Sequence, residues 1–117
     1  MKVLTPVDIK GVRHDSRRSV VSTTSPSIVF SAAHADFRSM KLHVQTSLGT
    51  SHVARELMAI HNGTNAFFTE YALVSTNEAS DAMDDVFTVD IDGSKFRLRI
   101  TPSNAATRTI VVSATVL

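Results

Sequence analysis

Phe87-Thr88-Val89-Asp90-Ile91-Asp92-Gly93-Ser94-Lys95-Phe96-Arg97-Leu98-Arg99-Ile100 decides the fold class. Phe87, Val89 and Ile91 alternate with polar residues, and Phe96, Leu98 and Ile100 do the same. Such a period of two is the mark of a strand with one face buried. Asp92-Gly93 between the two runs is a hairpin signal, because the tight turns that match strand twist need positive φ. A two-residue turn there pairs Ile91 with Ser94, Val89 with Phe96 and Phe87 with Leu98. All six large apolar side chains then share one face, while Asp90 faces Lys95 and Thr88 faces Arg97. A one-residue slip would turn every side chain over, so pattern, turn and charge fix the faces together.

Upstream, the same signals recur. Phe37 to Thr46 alternates, with Met40, Leu42 and Val44 on one side and Ser39, Lys41, His43 and Gln45 on the other. Leu48-Gly49-Thr50 supplies a turn. Asn62-Gly63 predicts a second hairpin within residues 52–75. It pairs His61 with Thr64, Met58 with Phe67 and Arg55 with Glu70, the last an opposite-charge pair. In this register Ala54, Met58, Ile60, Phe67, Tyr71 and Leu73 share one face; Leu57, Ala59, Ala66, Phe68 and Ala72 share the other. Both faces are apolar, so the strands are either covered twice or meet another subunit. A helix over His52–Ile60 competes with this reading, since Val53, Leu57 and Ile60 also fit helical spacing. Ile28-Val29-Phe30 and Thr109 to Leu117 are further strands, with Pro102 ending the strand before the last. The expected fold is all-β: an antiparallel β-sandwich, jelly-roll-like, of seven to eight strands.

Composition agrees. Ser and Thr number 27 of 117 residues, charged residues are 20%, and Cys is absent. The hydroxyl and β-branched side chains favour strands. Without Cys there is no disulfide scaffold, thiolate metal site or cysteine nucleophile. No apolar run approaches the ~18 residues of a membrane span, and Met1 to Val12 lacks the apolar core of a secretory signal. The net charge of +1 argues against a nucleic-acid partner.

That balance conceals an asymmetry. Residues 1–20 carry five basic and two acidic side chains, a net of +3. Residues 1–26 are therefore expected as an extended basic N-terminal arm and 27–117 as the sandwich domain. Arg13, Arg17 and Arg18 would supply charge to a partner, and Val7 and Ile9 would be its apolar anchors. Residues 77–85 hold Glu78, Asp81, Asp84 and Asp85 with no basic residue, and are expected as an acidic surface loop.

Chemistry is sparse. His14, His34, His43, His52 and His61 show no ligand spacing, and are expected to face solvent or to be hydrogen-bonded. Asp90-Ile91-Asp92-Gly93 lacks the further ligands of a calcium loop, and the hairpin explains both aspartates. No phosphate loop or nucleophile elbow is present. No catalytic residue, metal site or cofactor is expected, and the chain is read as not an enzyme.

Three stretches, taken in order, resemble a known module. They are Phe37-Arg38-Ser39-Met40-Lys41-Leu42-His43-Val44-Gln45; Leu57-Met58-Ala59-Ile60-His61-Asn62-Gly63-Thr64 running on to Thr69-Glu70-Tyr71; and Phe87-Thr88-Val89-Asp90-Ile91 through Arg97-Leu98-Arg99-Ile100-Thr101-Pro102. Together they resemble a β-rich module of virion structural proteins of tailed phages, especially cyanophages, found singly and as repeats in fibre or appendage proteins. The resemblance spans about residues 27–117 and implies a virion component, assembled in the host cytoplasm. With the arm, it leads to the expectation of a capsid decoration or cement protein that binds the major capsid protein or other virion proteins and bridges subunits. A homo-oligomer, trimer or dimer, would form through the second face of the first hairpin, with Leu57 and Phe68 at the contact. The alternatives are a tail, neck, baseplate or fibre component, or a host-glycan or receptor-binding module.

Overall fold

The computed structural model describes residues 7–9, 11–77 and 80–117, with Val7–Ile9 described for the backbone alone. The expected antiparallel β-sandwich is observed, with nine strands among the described residues. They are β1 (Val7–Ile9), β2 (Val12–Val21), β3 (Ser27–Ala33), β4 (Ser39–Leu48), β5 (Ser51–His61), β6 (Ala66–Ser75), β7 (Val86–Asp92), β8 (Lys95–Thr101) and β9 (Arg108–Val116). One sheet has the order β1-β2-β9-β4-β5-β6 and the other β3-β8-β7. Short 3-10 turns at His34–Asp36 and Asp81–Asp84 link strands that change sheet.

The core lies between β9, β4 and β5 of the large sheet and all three strands of the small one. Leu42, Val44, Leu57, Ile110, Val112 and Ala114 from the first meet Val29, Phe96, Leu98 and Ile100 from the second, all without exposure. These residues recur at every second position of their strands, so the pleat puts them all on the inner face. In β3 the alternation breaks at a bulge between Ile28 and Phe30, and the extra residue lets both Val29 and Phe30 point into the core.

The β7–β8 hairpin keeps the faces read from sequence but slides by two residues. Phe87 pairs with Ile100, Val89 with Leu98 and Ile91 with Phe96. Asp92 pairs with Lys95, so the turn is Gly93-Ser94 with Gly93 at φ +60. Asp90 consequently faces Arg97 rather than Lys95. The slide gives each apolar residue an apolar partner, including Ile91, which the first register left opposite Ser94.

The β5–β6 hairpin differs similarly. Its loop is Asn62–Asn65, closed by Asn62 N–H donating to Asn65 O at 3.1 Å, and His61 pairs with Ala66. Asn62 Oδ1 accepts from the backbone N–H groups of Thr64 and Asn65, which stabilises four loop residues where sequence indicated two. A bulge opposite Glu56/Leu57 then shifts the register, so Leu73 lies opposite Arg55 and leaves the face it was expected to share with Ile60. The competing helix over His52–Ile60 is not formed; that segment is β5.

The largest departure is at the N-terminus. Residues 12–21 are not an arm apart from the sandwich but strand β2, paired to β9 from Arg13↔Val116 to Val21↔Arg108. β1 pairs back onto β2 from Val7↔His14 to Ile9↔Val12. The polar run that looked like the end of an arm, Ser22 to Pro26, is the link between the two sheets. β2 has few apolar groups because the small sheet covers little of it, and only Val21 is buried.

Candidate interaction surface

Two buried arginines fix one end of the sandwich. Arg108, at the start of β9, donates from Nη1 to both oxygens of Asp85 at 2.9 Å and from Nη2 to Asn104 O at 2.9 Å. Arg55, on β5, donates from Nη2 to Ala82 O at 3.0 Å and Met83 O at 2.8 Å, and its guanidinium lies 4.9 Å from the Phe87 ring centre. Burial pulls its basicity down, against the opposing pull of Glu70, whose Oε1 is 3.3 Å from Nε. The expected Arg55–Glu70 pair thus exists, although the two are not register partners. Asp85 Oδ1 also accepts from Ser103 N–H at 2.9 Å. This corrects the reading of residues 77–85 as a purely solvated acidic loop: Asp85 and Ser80 are buried, and the described part of the segment, which excludes Glu78, is tied to both sheets. A buried charge persists only where partners replace its water, and the carbonyls and Asp85 do so here.

His61 holds the opposite end. Its Nδ1 accepts from Gly63 N–H at 2.9 Å, so Nε2 carries the proton and donates to Phe37 O at 2.6 Å. Arg38 Nη1 donates to His61 O at 2.8 Å. His61 is therefore a buried, hydrogen-bonded histidine that anchors the loop after β5.

Between these ends, the outer face of the large sheet is uncovered along β5 and β6. Met58, Ile60, Phe67 and Tyr71 are each about half exposed, and Val74 is 71% exposed. Register places Ile60 beside Phe67, and Ala54 beside Val74. A shallow, mostly apolar depression is lined by Met58, Ala59, Ile60, Phe67 and Phe68, with Ser39 and Thr69. A polar group borders it. Tyr71 Oη donates to Glu56 Oε2 at 2.6 Å, and Lys41 Nζ lies 3.4 Å from the same oxygen. The Tyr71 hydrogen bond, helped by Lys41, holds the Glu56 carboxyl below its ordinary value, while Glu56 raises both Tyr71 and Lys41.

The residues expected to meet a partner do not converge. Leu57 has no exposure and lies in the core, so it is not available to another chain. The second face of the hairpin, the one holding Leu57, is the inner one, because the small sheet covers it. Phe68 pairs with Ala59 on that face but is 40% exposed, since β6 is the edge strand and projects past the cover. Arg13 lies 4.0 Å from both Asp15 and Asp36, whereas Arg17 and Arg18 are exposed on neighbouring positions of β2, and so on opposite faces. The side chains of Val7 and Ile9 lie outside the described residues.

Lys41, Glu56 and Tyr71 were not singled out as a group. The signal was the Leu48-Gly49-Thr50 turn: closing it between Leu48 and Ser51, as observed, brings His43 opposite Glu56 and Lys41 opposite Met58. Among the described residues no three His, Asp or Glu side chains gather as a metal site, and no helix is long and apolar enough to cross a membrane.

No family model and no curated protein matches the sequence. Solved structures do match the fold. The tailspike protein of Acinetobacter baumannii phage AM24 superposes at a TM-score of 0.59 and 9% identity, over 91% of this chain and 26% of that one. The tailspike protein gp49 of Acinetobacter baumannii bacteriophage Fri1, a capsular polysaccharide depolymerase, superposes at 0.51 and 12% identity, over 96% of this chain and 19% of that one. A tailspike protein of a further Acinetobacter phage gives 0.50 and 19%, over 99% and 23%. This chain thus spans about a quarter or less of the length of each. The reading of the chain as not an enzyme is corrected here, because the fold occurs within a protein that is a depolymerase. The resemblance to tailed-phage proteins extends to structure, in Acinetobacter phages, and what the chain shares with these tailspike proteins is the fold of one part of them.

Proposed function

We propose that this chain is a β-sandwich module of a phage tail appendage, of the tailspike or tail-fibre kind, carried on the virion. The observation that supports this most is the superposition of nearly the whole chain on a part of tailspike proteins. The course of β2 supports it as well. A capsid cement protein was expected because a free basic arm could cross subunit seams, but residues 12–21 are committed to the sheet. The tail or fibre reading needs no such arm. It also accommodates assemblies that degrade polysaccharide, as the gp49 tailspike does. Its partners are other virion proteins of the tail rather than the major capsid protein.

Gold-labelled antibody against this chain, applied to intact particles, tests the proposal. Label at the tail tip or its appendages is the expected result, and label distributed over the head overturns it.

A further inference from the structure

We propose that copies of this chain associate with one another through the outer face of β5 and β6, which the monomer leaves bare. The face is built from Met58, Ile60, Phe67, Tyr71 and Val74. At their observed exposures these five side chains present about 550 Å² of surface, taking ~150–250 Å² for each large side chain. Phe68 and Leu73, 40% and 39% exposed, belong to the opposite face of the same edge strand and add nothing to this surface. One side of a stable protein interface buries ~800 Å². The patch thus supplies about two-thirds of one such side, and lies near the top of the ~300–600 Å² that monomers leave contiguous, where such patches are often functional.

Charge selects the occupant. The charged groups bordering the patch are already neutralised within the chain, Glu56 by Lys41 and Glu70 by Arg55. Among the described residues nothing bordering the patch is left over to attract a strongly acidic or basic partner. An apolar surface with internally balanced borders is complementary to itself, and homo-oligomeric interfaces are the more apolar class. The bulge in β6 decides how the copies meet. It breaks the regular edge that strand addition would need, so faces pack and sheets do not extend. Face packing about a rotation axis gives a closed assembly. The Tyr71–Glu56–Lys41 group then sits at the rim.

The test is mass in solution. The full chain at about 100 μM is run by size exclusion with light scattering, beside Phe67→Asp and Met58→Lys. The wild type is expected at two or three times the monomer mass, and each variant at the monomer mass with an unchanged β-sheet circular dichroism spectrum. Ile60→Thr, which keeps strand propensity, serves if either charged variant fails to fold, and is expected to weaken association at least tenfold. Val86→Asp, exposed on the small sheet, is expected to leave the mass unchanged. A monomeric wild type, variants that remain oligomeric, or dissociation by Val86→Asp as strong as by Phe67→Asp would each overturn the proposal.

Discussion

Arg108 and Asp85 meet at 2.9 Å with neither side chain exposed, and the contact joins the large sheet to the segment that leads into β7 of the small one. Position along the chain matters as much as strength. Asp85 immediately precedes β7, and Arg108 opens β9. Their pairing therefore sets how one sheet sits on the other at this end.

Replacing Asp85 by Ala leaves a buried guanidinium without its counter-charge, which costs about 3–5 kcal/mol. Urea unfolding of Asp85→Ala is expected to show a loss of that order. Asp92→Ala removes an ion pair whose carboxylate is 68% exposed, and is expected to change stability by about 0.5 kcal/mol or less.

Asp90 yields a pH dependence. It accepts from Arg97 Nε at 2.8 Å and Nη2 at 2.6 Å, and this pairing holds its carboxyl below the ordinary value. A depressed folded value adds stability that is present in full above the unfolded value, near ~4, and is lost as pH falls through the folded value. Asp90→Asn is expected to lower stability by about 1 kcal/mol at pH 7, discounted for partial exposure. The gap between variant and wild type is expected to close as the pH falls below ~4. Thermal unfolding at stepped pH measures both.

Gly93→Ala isolates a backbone effect. A Cβ at Gly93 would meet nothing within 4 Å, yet its φ of +60 is disfavoured for any side chain. The expected loss is about 1–2 kcal/mol, read from denaturant unfolding, with no change in the β-sheet spectrum.

Deleting residues 1–20 separates a structural strand from a detachable arm. The deletion uncovers the edge of β9 along eight of its nine register pairs with β2. The truncated chain is expected to melt at least about 10 °C lower than the full chain. An arm outside the sandwich would leave the melting temperature unchanged.

The faces of β4, β7 and β8 were legible because period-two alternation survives any even slide in register. The slide itself was not, since Asp92-Gly93 and Gly93-Ser94 are both acceptable turns and only the partners of Ile91 decide between them. β2 was misread because its pairing partner, β9, lies at the far end of the chain, and its own residues carry little apolar signal. Arg55 was read only as the partner of Glu70, and Arg108 carried no signal of its own. Their burial depends on carbonyls and a carboxylate that only the folded chain gathers. The bare β5–β6 surface was half legible: two apolar faces were evident, but which one the small sheet would cover was a matter of packing.

The number of copies of this chain per particle tests the tail assignment most directly. Quantitative mass spectrometry of purified particles, scaled to the major capsid protein, is expected to give a few to a few dozen copies. Copies in the hundreds, matching the capsid lattice, would contradict it.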